Sequence, residues 1–292
     1  MTGAGSMEDV TRKLVGLLDV APVGDDHFSG ESDDLGFPNV FGGQVLGQGL
    51  MATSRTVEGR LAHSMHAYFL RPGNPHKGID YEVQRVRDGG TFTVRRVIAR
   101  QDEREILTAM VSFQVQEEGF EHQLDAPTAP DPEGLTSEQA LRETVRHLVP
   151  EERREQMMKE RAIDIRPVTQ ADPLKPEVGP PHTQNWFRAR GSLPDDPVLH
   201  RAILAYASDF NLLATSMRPH GAGFSTPGMQ VASLDHAIWF HRALRLDDWL
   251  LYDMDSPSAS SGRGMNRGTV FNRDGELVAS VAQEALIRQR TT

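Results

Sequence analysis

Cysteine does not occur among the 292 residues of this chain. Its absence excludes disulfide bonds, thiolate metal ligands and a cysteine nucleophile. Basic residues are outnumbered, because 31 Lys and Arg stand against 41 Asp and Glu and give a formal net charge of −10. A nucleic-acid partner needs a dense basic face, so the composition argues against one, although a local arginine cluster can still bind a small polyanion.

Long apolar runs are also missing. No stretch is long enough to span a bilayer, and no basic start followed by an apolar run is present at the N-terminus. We therefore predict no membrane span and no secretory signal, and we expect a cytoplasmic protein. Residues 1–7 are interpreted as a flexible leader outside the fold. Hydrophobic residues make up 38% of the chain, which supports a packed core rather than disorder.

Residues 231–242, VASLDHAIWFHR, have the alternation of a β-strand with one packed face. One side of the extended chain carries Leu234, His236, Ile238 and Phe240. A near copy, AHSMHAYFLR, occupies residues 62–71. The two stretches share a histidine, an aromatic pair and a closing arginine, which indicates that the chain contains an internal duplication.

Each copy of this strand is preceded by a predicted central helix. Residues 39–57 have apolar residues at helical spacing despite four glycines, each costing about 1 kcal/mol against Ala, so we expect a buried helix around which a sheet closes. Residues 197–217 are predicted as the second helix, with a proline in its first turn. Matching strands lie about 170 positions apart, such as residues 109–114 and 279–284.

A central helix wrapped by a curved antiparallel sheet is the hotdog arrangement, and here it is predicted twice. The predicted fold class is therefore α+β, a double hotdog with two tandem repeats. The predicted organisation is an N-terminal repeat over residues 8–116, a linker with surface helices over 117–161, and a C-terminal repeat over 162–290 that carries the catalytic residues.

Three polar residues stand where the packing pattern favours small or apolar ones. Asp209 lies in the second predicted helix, Ser233 opens the key strand, and Gln283 lies in the last strand. Each alone is more simply interpreted as a solvent-facing or capping residue, a strand-edge hydroxyl, or an exposed strand residue. Because helix, strand and final strand converge in this fold, the three together favour a site.

Long motifs extend this pattern over nearly the whole chain, from Gly36 to Arg288. They include VFGGQVLGQ at 40–48, HAYFLRPG at 66–73, YASDFNLL at 206–213, LDHAIWFHR at 234–242 and DGELVASVAQE at 274–284. In these motifs the chain resembles the acyl-CoA thioesterase II family. The resemblance implies hydrolysis of fatty acyl-CoA by a water held by Asp209, Ser233 and Gln283. The better-known bacterial members carry Thr where this chain has Ser233.

The physical logic of thioester hydrolysis agrees with this assignment, since Asp209 would take the proton of the water while Ser233 and Gln283 orient it. Backbone N–H groups of Gly42 and Gly43 are candidate oxyanion donors. For the CoA phosphates, candidate ligands include Arg242 and Arg263, although arginines on strands are usually only solvated. The first repeat offers no matching Asp, because its helix is expected to have Gly43 and Gln44 at the corresponding place, which predicts one working site per pair of hotdogs.

No metal and no cofactor are predicted, because the histidines lack metal-ligand spacing. A serine hydrolase is disfavoured because no G-x-S-x-G elbow is present. Two alternatives stay open: a hotdog enoyl-CoA hydratase, suggested by Asp209 with Asn211 but lacking the histidine that its motif needs, and a non-catalytic acyl-CoA binding module. A homodimer or higher homo-oligomer is expected by resemblance.

Overall fold

The computed structural model describes residues 4–149, 151–169 and 175–290. The α-helices in these ranges are α1 (Ala4–Leu18), α2 (Gly42–Ser54), α3 (Glu138–Thr144), α4 (Glu151–Met158) and α5 (Pro197–Ala207). The strands are β1 (Ala21–Gly24), β2 (His27–Gly30), β3 (Leu61–Phe69), β4 (Ile79–Asp88), β5 (Phe92–Gln101), β6 (Arg104–Gln114), β7 (Ile163–Pro167), β8 (His182–Ala189), β9 (Met229–Ser233), β10 (Asp235–Phe240), β11 (Leu250–Ser260), β12 (Arg263–Phe271) and β13 (Leu277–Gln289). Among these helices, none has both the length and the apolar content needed to cross a bilayer.

The strands pair into one continuous antiparallel sheet. Its order is β1-β2-β4-β5-β6-β3-β10-β13-β12-β11-β8-β7, with β9 paired to β13. The two repeats meet where β3 of the first pairs with β10 of the second, and His66 lies opposite Ala237 in that register. The predicted α+β double hotdog is confirmed, and it places β3 and β10, the strands of the two similar stretches at 62–71 and 231–242, side by side at the centre of the sheet.

The two central helices, α2 and α5, pack directly against each other in the core. A Cβ atom on Gly43 would lie 2.2 Å from the carbonyl oxygen of Tyr206, and one on Gly47 would lie 2.9 Å from that of Ala202. Only glycine permits this backbone approach. These two glycines of α2 therefore serve helix–helix contact rather than the predicted contact between helix and sheet.

Several predicted boundaries differ from those observed. Helix α1 begins at Ala4, so residues 4–7 belong to the fold rather than to a leader, and residues 1–3 lie outside the described ranges. Strand β1 was not predicted, because its four residues are all exposed and show no alternation.

The linker packs on the face of the second repeat's sheet that is turned away from α5. The indole N–H of Trp186 donates to the carbonyl of Pro130 at 2.8 Å, and that of Trp249 donates to Glu133 at 2.9 Å. Leu251 and the linker residue Leu135 belong to the same apolar cluster. The exact domain limits proposed from the sequence stay a prediction.

Candidate active site

Asp209 lies in the turn that ends α5, and not inside the helix as predicted. Helix α5 stops at Ala207, Ser208 is its C-cap, and Asn211 adopts a left-handed φ of 64°. Asparagine tolerates this conformation better than most residues, so the chain can change direction here. The prediction of one helix over residues 197–217 is therefore wrong beyond Ala207, and a separate 3-10 segment follows at Leu213–His220.

The carboxylate of Asp209 caps the central helix of the other repeat. Gly43 N–H donates to Asp209 Oδ2 at 2.9 Å, while the N-cap residue Phe41 makes no side-chain hydrogen bond to the helix end. A Cβ atom on Gly42 would lie 2.8 Å from the same oxygen, so a side chain there would displace it. The negative charge is thus held at the positive end of the α2 dipole.

The other carboxylate oxygen brings the three predicted residues together. Gln283 Nε2 donates to Asp209 Oδ1 at 2.7 Å, and Ser233 Oγ donates to the same oxygen at 3.3 Å. Gln283 is fully buried, whereas Asp209 and Ser233 are partly exposed. A helix end, the end of a strand and a neighbouring strand therefore converge on one half-buried carboxylate.

An interruption of the key strand positions Ser233. Ser233 is the last residue of β9 and pairs with Ala285, whereas Ala237 in β10 pairs with Ala282, so the two segments differ in register by one residue. Such a bulge bends the strand and re-aims its side chains. The predicted continuous strand over residues 231–242 is wrong at Leu234, and Ser233 ends a strand rather than opening one.

A buried histidine, His236, stands behind Gln283. Its Nδ1 lies 3.1 Å from Gln283 Nε2, and its Nε2 lies 2.9 Å from Ser208 Oγ. The hydroxyl of Ser208 in turn donates to the carbonyl of Ala205 at 3.1 Å. Gln283 Oε1 is buried without a hydrogen-bond partner among the described residues. This polar chain connects the α5 backbone to Asp209.

Burial lowers the pKa of His236 to about 4, and the nearby Asp209 charge opposes that shift only in part. The imidazole is therefore neutral at pH 7. Sequence reasoning assigned no role to His236. The available signal was its position: His236 shares the inward face of β10 with Ile238 and Phe240, where a polar side chain needs a partner.

Three of the predicted substrate-binding residues, Gly43, Arg242 and Arg263, are already engaged by other groups of the protein. Gly43 N–H already donates to Asp209, so an oxyanion bound there would have to displace that carboxylate, and the oxyanion role of Gly42 and Gly43 stays a prediction. Arg263 forms an ion pair with Glu284 at 2.9 Å. Arg242 donates to the carbonyl of Leu277 at 2.8 Å. In the described ranges, no group of three or more His, Asp or Glu side chains is arranged to hold a metal.

Matching hydrogen bonds align the two repeats. In the first repeat, the N–H of Leu70 donates to the carbonyl of Ile106, and in the second the N–H of His241 donates to the carbonyl of Val278. These equivalent bonds match Leu70 with His241 and Ile106 with Val278. The sequence match of residues 109–114 with 279–284 is therefore out of structural register by two positions. In the helices, Gly49 of α2 lies against Met65 of β3 as Ser208 at the end of α5 lies against His236 of β10, which matches Gly49 with Ser208.

The same alignment identifies the first repeat's counterpart of the site. Leu50, Ala62, Met65 and Val111 occupy the positions of Asp209, Ser233, His236 and Gln283. All four are buried and apolar. An apolar cluster cannot activate water, which agrees with the predicted single site but places the counterpart of Asp209 at Leu50 rather than at the start of α2.

Comparisons with known proteins agree over nearly the whole chain. The family model described as acyl-CoA thioesterase matches residues 152–286, and the model described as acyl-CoA thioesterase N-terminal domain matches residues 30–114. The chain is 40% identical to acyl-CoA thioesterase 2 of Haemophilus influenzae over 283 residues, covering 97% of this chain and 99% of the relative. It is 35% identical to human acyl-coenzyme A thioesterase 8 over 281 residues, covering 93% and 88%. A crystal structure of acyl-CoA thioesterase II from Mycobacterium marinum is 38% identical and superposes with a TM-score of 0.78, covering 95% of this chain and 99% of the other.

Proposed function

Because the chain belongs to the acyl-CoA thioesterase family, we propose that it hydrolyses fatty acyl-CoA to a free fatty acid and CoA with a water molecule activated by Asp209, Ser233 and Gln283. The observation that carries the proposal is the meeting of these three side chains on one carboxylate oxygen, Asp209 Oδ1. Three elements from different parts of the second repeat contribute one residue each.

In the proposed reaction, Asp209 acts as the general base. It accepts a proton from water while the water oxygen attacks the thioester carbonyl carbon, and the resulting tetrahedral intermediate breaks its C–S bond. The CoA sulfur leaves as a thiolate that takes up a proton. A thioester carbonyl is electrophilic enough that no covalent nucleophile is needed, and base assistance contributes about 10²- to 10⁴-fold.

Ser233 and Gln283 would fix the direction of the attacking water relative to the carbonyl. The bond of Gln283 Nε2 to Asp209 Oδ1 holds the carboxylate still, and the buried Gln283 Oε1 can accept a hydrogen bond from the water. Ser233 keeps the hydroxyl of the Thr that it replaces and lacks only the methyl group. We therefore expect activity to survive this difference.

Only the second repeat would carry out the reaction. The equivalent place in the first repeat is the apolar cluster around Leu50 and Val111, which contains no group that can accept a proton. The first repeat instead contributes Gly43, which holds the carboxylate from the end of α2. One working site per chain therefore needs both repeats.

Further parts of the proposal rest on the resemblance alone. Arg242 and Arg263 are the candidate ligands of the CoA phosphates. The hydrogen bond from Arg242 to the carbonyl of Leu277 has an equivalent in the first repeat, where Arg71 donates to the carbonyl of Glu105, and this favours a structural role for Arg242. A cytoplasmic location and a homodimer or higher homo-oligomer are likewise proposed.

Two assays separate the proposed function from its alternatives. Release of CoA thiol from dodecanoyl-CoA is followed with a thiol reagent, and hydration of crotonyl-CoA is followed by its absorbance. We expect thiol release without hydration. Hydration without thiol release would identify a hydratase, and neither reaction, with binding of dodecanoyl-CoA retained, would identify a binding module.

A further inference from the structure

The hydrogen bonds around His236 leave only one consistent arrangement of its protons. The hydroxyl of Ser208 donates to the carbonyl of Ala205, so its oxygen must accept from His236 Nε2–H. The ring is neutral when only Nε2 carries a proton, and Nδ1 is then an acceptor. It accepts the second N–H of Gln283 at 3.1 Å.

This arrangement also decides which way the amide of Gln283 faces. Its nitrogen has two N–H groups, and they are used by Asp209 Oδ1 at 2.7 Å and by His236 Nδ1. A flipped amide would direct its oxygen at a carboxylate and at a lone pair of the imidazole, both of which repel it. The oxygen Oε1 is therefore left as the free, buried acceptor of the site within the described ranges.

Resting on the proposed function, we propose that His236 is a positioning residue: its Nε2–H tautomer, set by Ser208, locks the Gln283 amide with its nitrogen on Asp209 and its oxygen free for the attacking water. His236 does not touch substrate in this account. It acts through Gln283, and Ser208 acts through His236.

The groups that face His236 support a neutral ring that does not exchange protons with the reaction. From the end of α5 it faces the carboxylate of Asp209 and the hydroxyl of Ser208, and from β13 it faces the amide of Gln283. Tyr252 from β11 donates to the carbonyl of Ser208, and its pKa is raised well above its ordinary value by burial. At pH 7 the ring therefore supplies one acceptor and one donor in fixed directions.

The substitution His236→Asn tests this directly, with His236→Met as its counterpart. Asparagine places Oδ1 as many bonds from the backbone as Nδ1 of histidine, so it can accept from Gln283. Methionine, which occupies the equivalent first-repeat position at Met65, offers only a weakly accepting thioether sulfur. With dodecanoyl-CoA we expect His236→Met to lower kcat by roughly 10- to 100-fold with little change in KM, and His236→Asn to recover most of that loss. Equal kcat in both variants would overturn the proposal.

A double-mutant cycle with Ser208→Ala separates tautomer control from simple packing. Without the hydroxyl, histidine can shift its proton to Nδ1 and repel the Gln283 N–H, so Ser208→Ala should lower kcat in the parent. In the His236→Asn background there is no tautomer to set, and the same substitution should have little effect. Equal effects of Ser208→Ala in both backgrounds would contradict the inference.

Two further measurements complete the test. In nitrogen-15 NMR at pH 7, the ring signals of His236 are assigned as those that disappear in His236→Asn. They should show a neutral ring protonated at Nε2. A ring protonated at Nδ1 or at both nitrogens would overturn the proposal. His241→Asn is the matched control, since His241 also contacts a serine, Ser280, but lies exposed on the outer face. Asp209→Asn is assayed in parallel: its full activity would defeat the proposed function, whereas its loss together with full activity of His236→Met would defeat only the present inference.

Discussion

Replacing His236 by methionine should flatten the pH dependence of folding stability. Burial lowers the pKa of this imidazole from 6.5 to about 4, with Asp209 opposing the shift. Between these two pH values the unfolded chain binds a proton that the folded chain excludes, so the free energy of unfolding falls as the pH falls. Methionine binds no proton, so the variant lacks this pH-dependent contribution to the free energy of unfolding.

The size of the effect follows from the two pKa values. Between pH 7 and pH 5 they correspond to a loss of about 2 kcal/mol in the free energy of unfolding. Burial also lowers the pKa of His63 and of His200, and these groups titrate in parent and variant alike. The difference between the two proteins therefore isolates the contribution of His236.

Urea unfolding followed by tryptophan fluorescence at pH 7 and pH 5 measures this difference. The parent should lose about 2 kcal/mol more than the variant over this interval, whatever the change in absolute stability that methionine causes. If both proteins lose the same free energy, the imidazole is not held neutral in the folded state and the reasoning is refuted.

Three other predictions concern the helix contact, the hydroxyl and the number of sites. Gly43→Ala should destabilise the fold by about 1–3 kcal/mol or more in urea unfolding, because its Cβ would meet a carbonyl of α5, whereas Gly90→Ala, with open space around it, should not. Ser233→Thr should keep kcat near that of the parent while Ser233→Ala lowers it; equal rates in all three would remove Ser233 from the site. Equilibrium dialysis with a non-hydrolysable thioether analogue of dodecanoyl-CoA should give one bound ligand per chain, and two would contradict the single site.

Much of the architecture was predictable because duplicated strands leave a duplicated pattern. Alternation along residues 231–242 and its copy at 62–71 identified the two strands that meet at the centre of the sheet. The hydrophobic spacing and glycines of residues 39–57 located α2 to within a few residues. These signals are local and periodic, so they can be recognised without coordinates.

The finer geometry of the site depends on interactions between distant residues. The break at Leu234 arises from a change in register against β13, and alternation alone cannot reveal it. The end of α5 at Ala207 depends on the left-handed turn at Asn211 and on the cap that Asp209 gives to α2. His236 gains its role only from contacts with Ser208 and Gln283, neither of which is near it in sequence.

The most direct test of the account is the turnover of dodecanoyl-CoA by Asp209→Asn. The asparagine oxygen can still accept the Gly43 N–H, so the fold should be kept, but the side chain can no longer take a proton and kcat should fall by about 10²- to 10⁴-fold. Asp253→Asn is the matched control, because Asp253 accepts hydrogen bonds from His182 and Gln184 away from the site. A folded Asp209→Asn protein that releases CoA as fast as the parent would contradict the central claim.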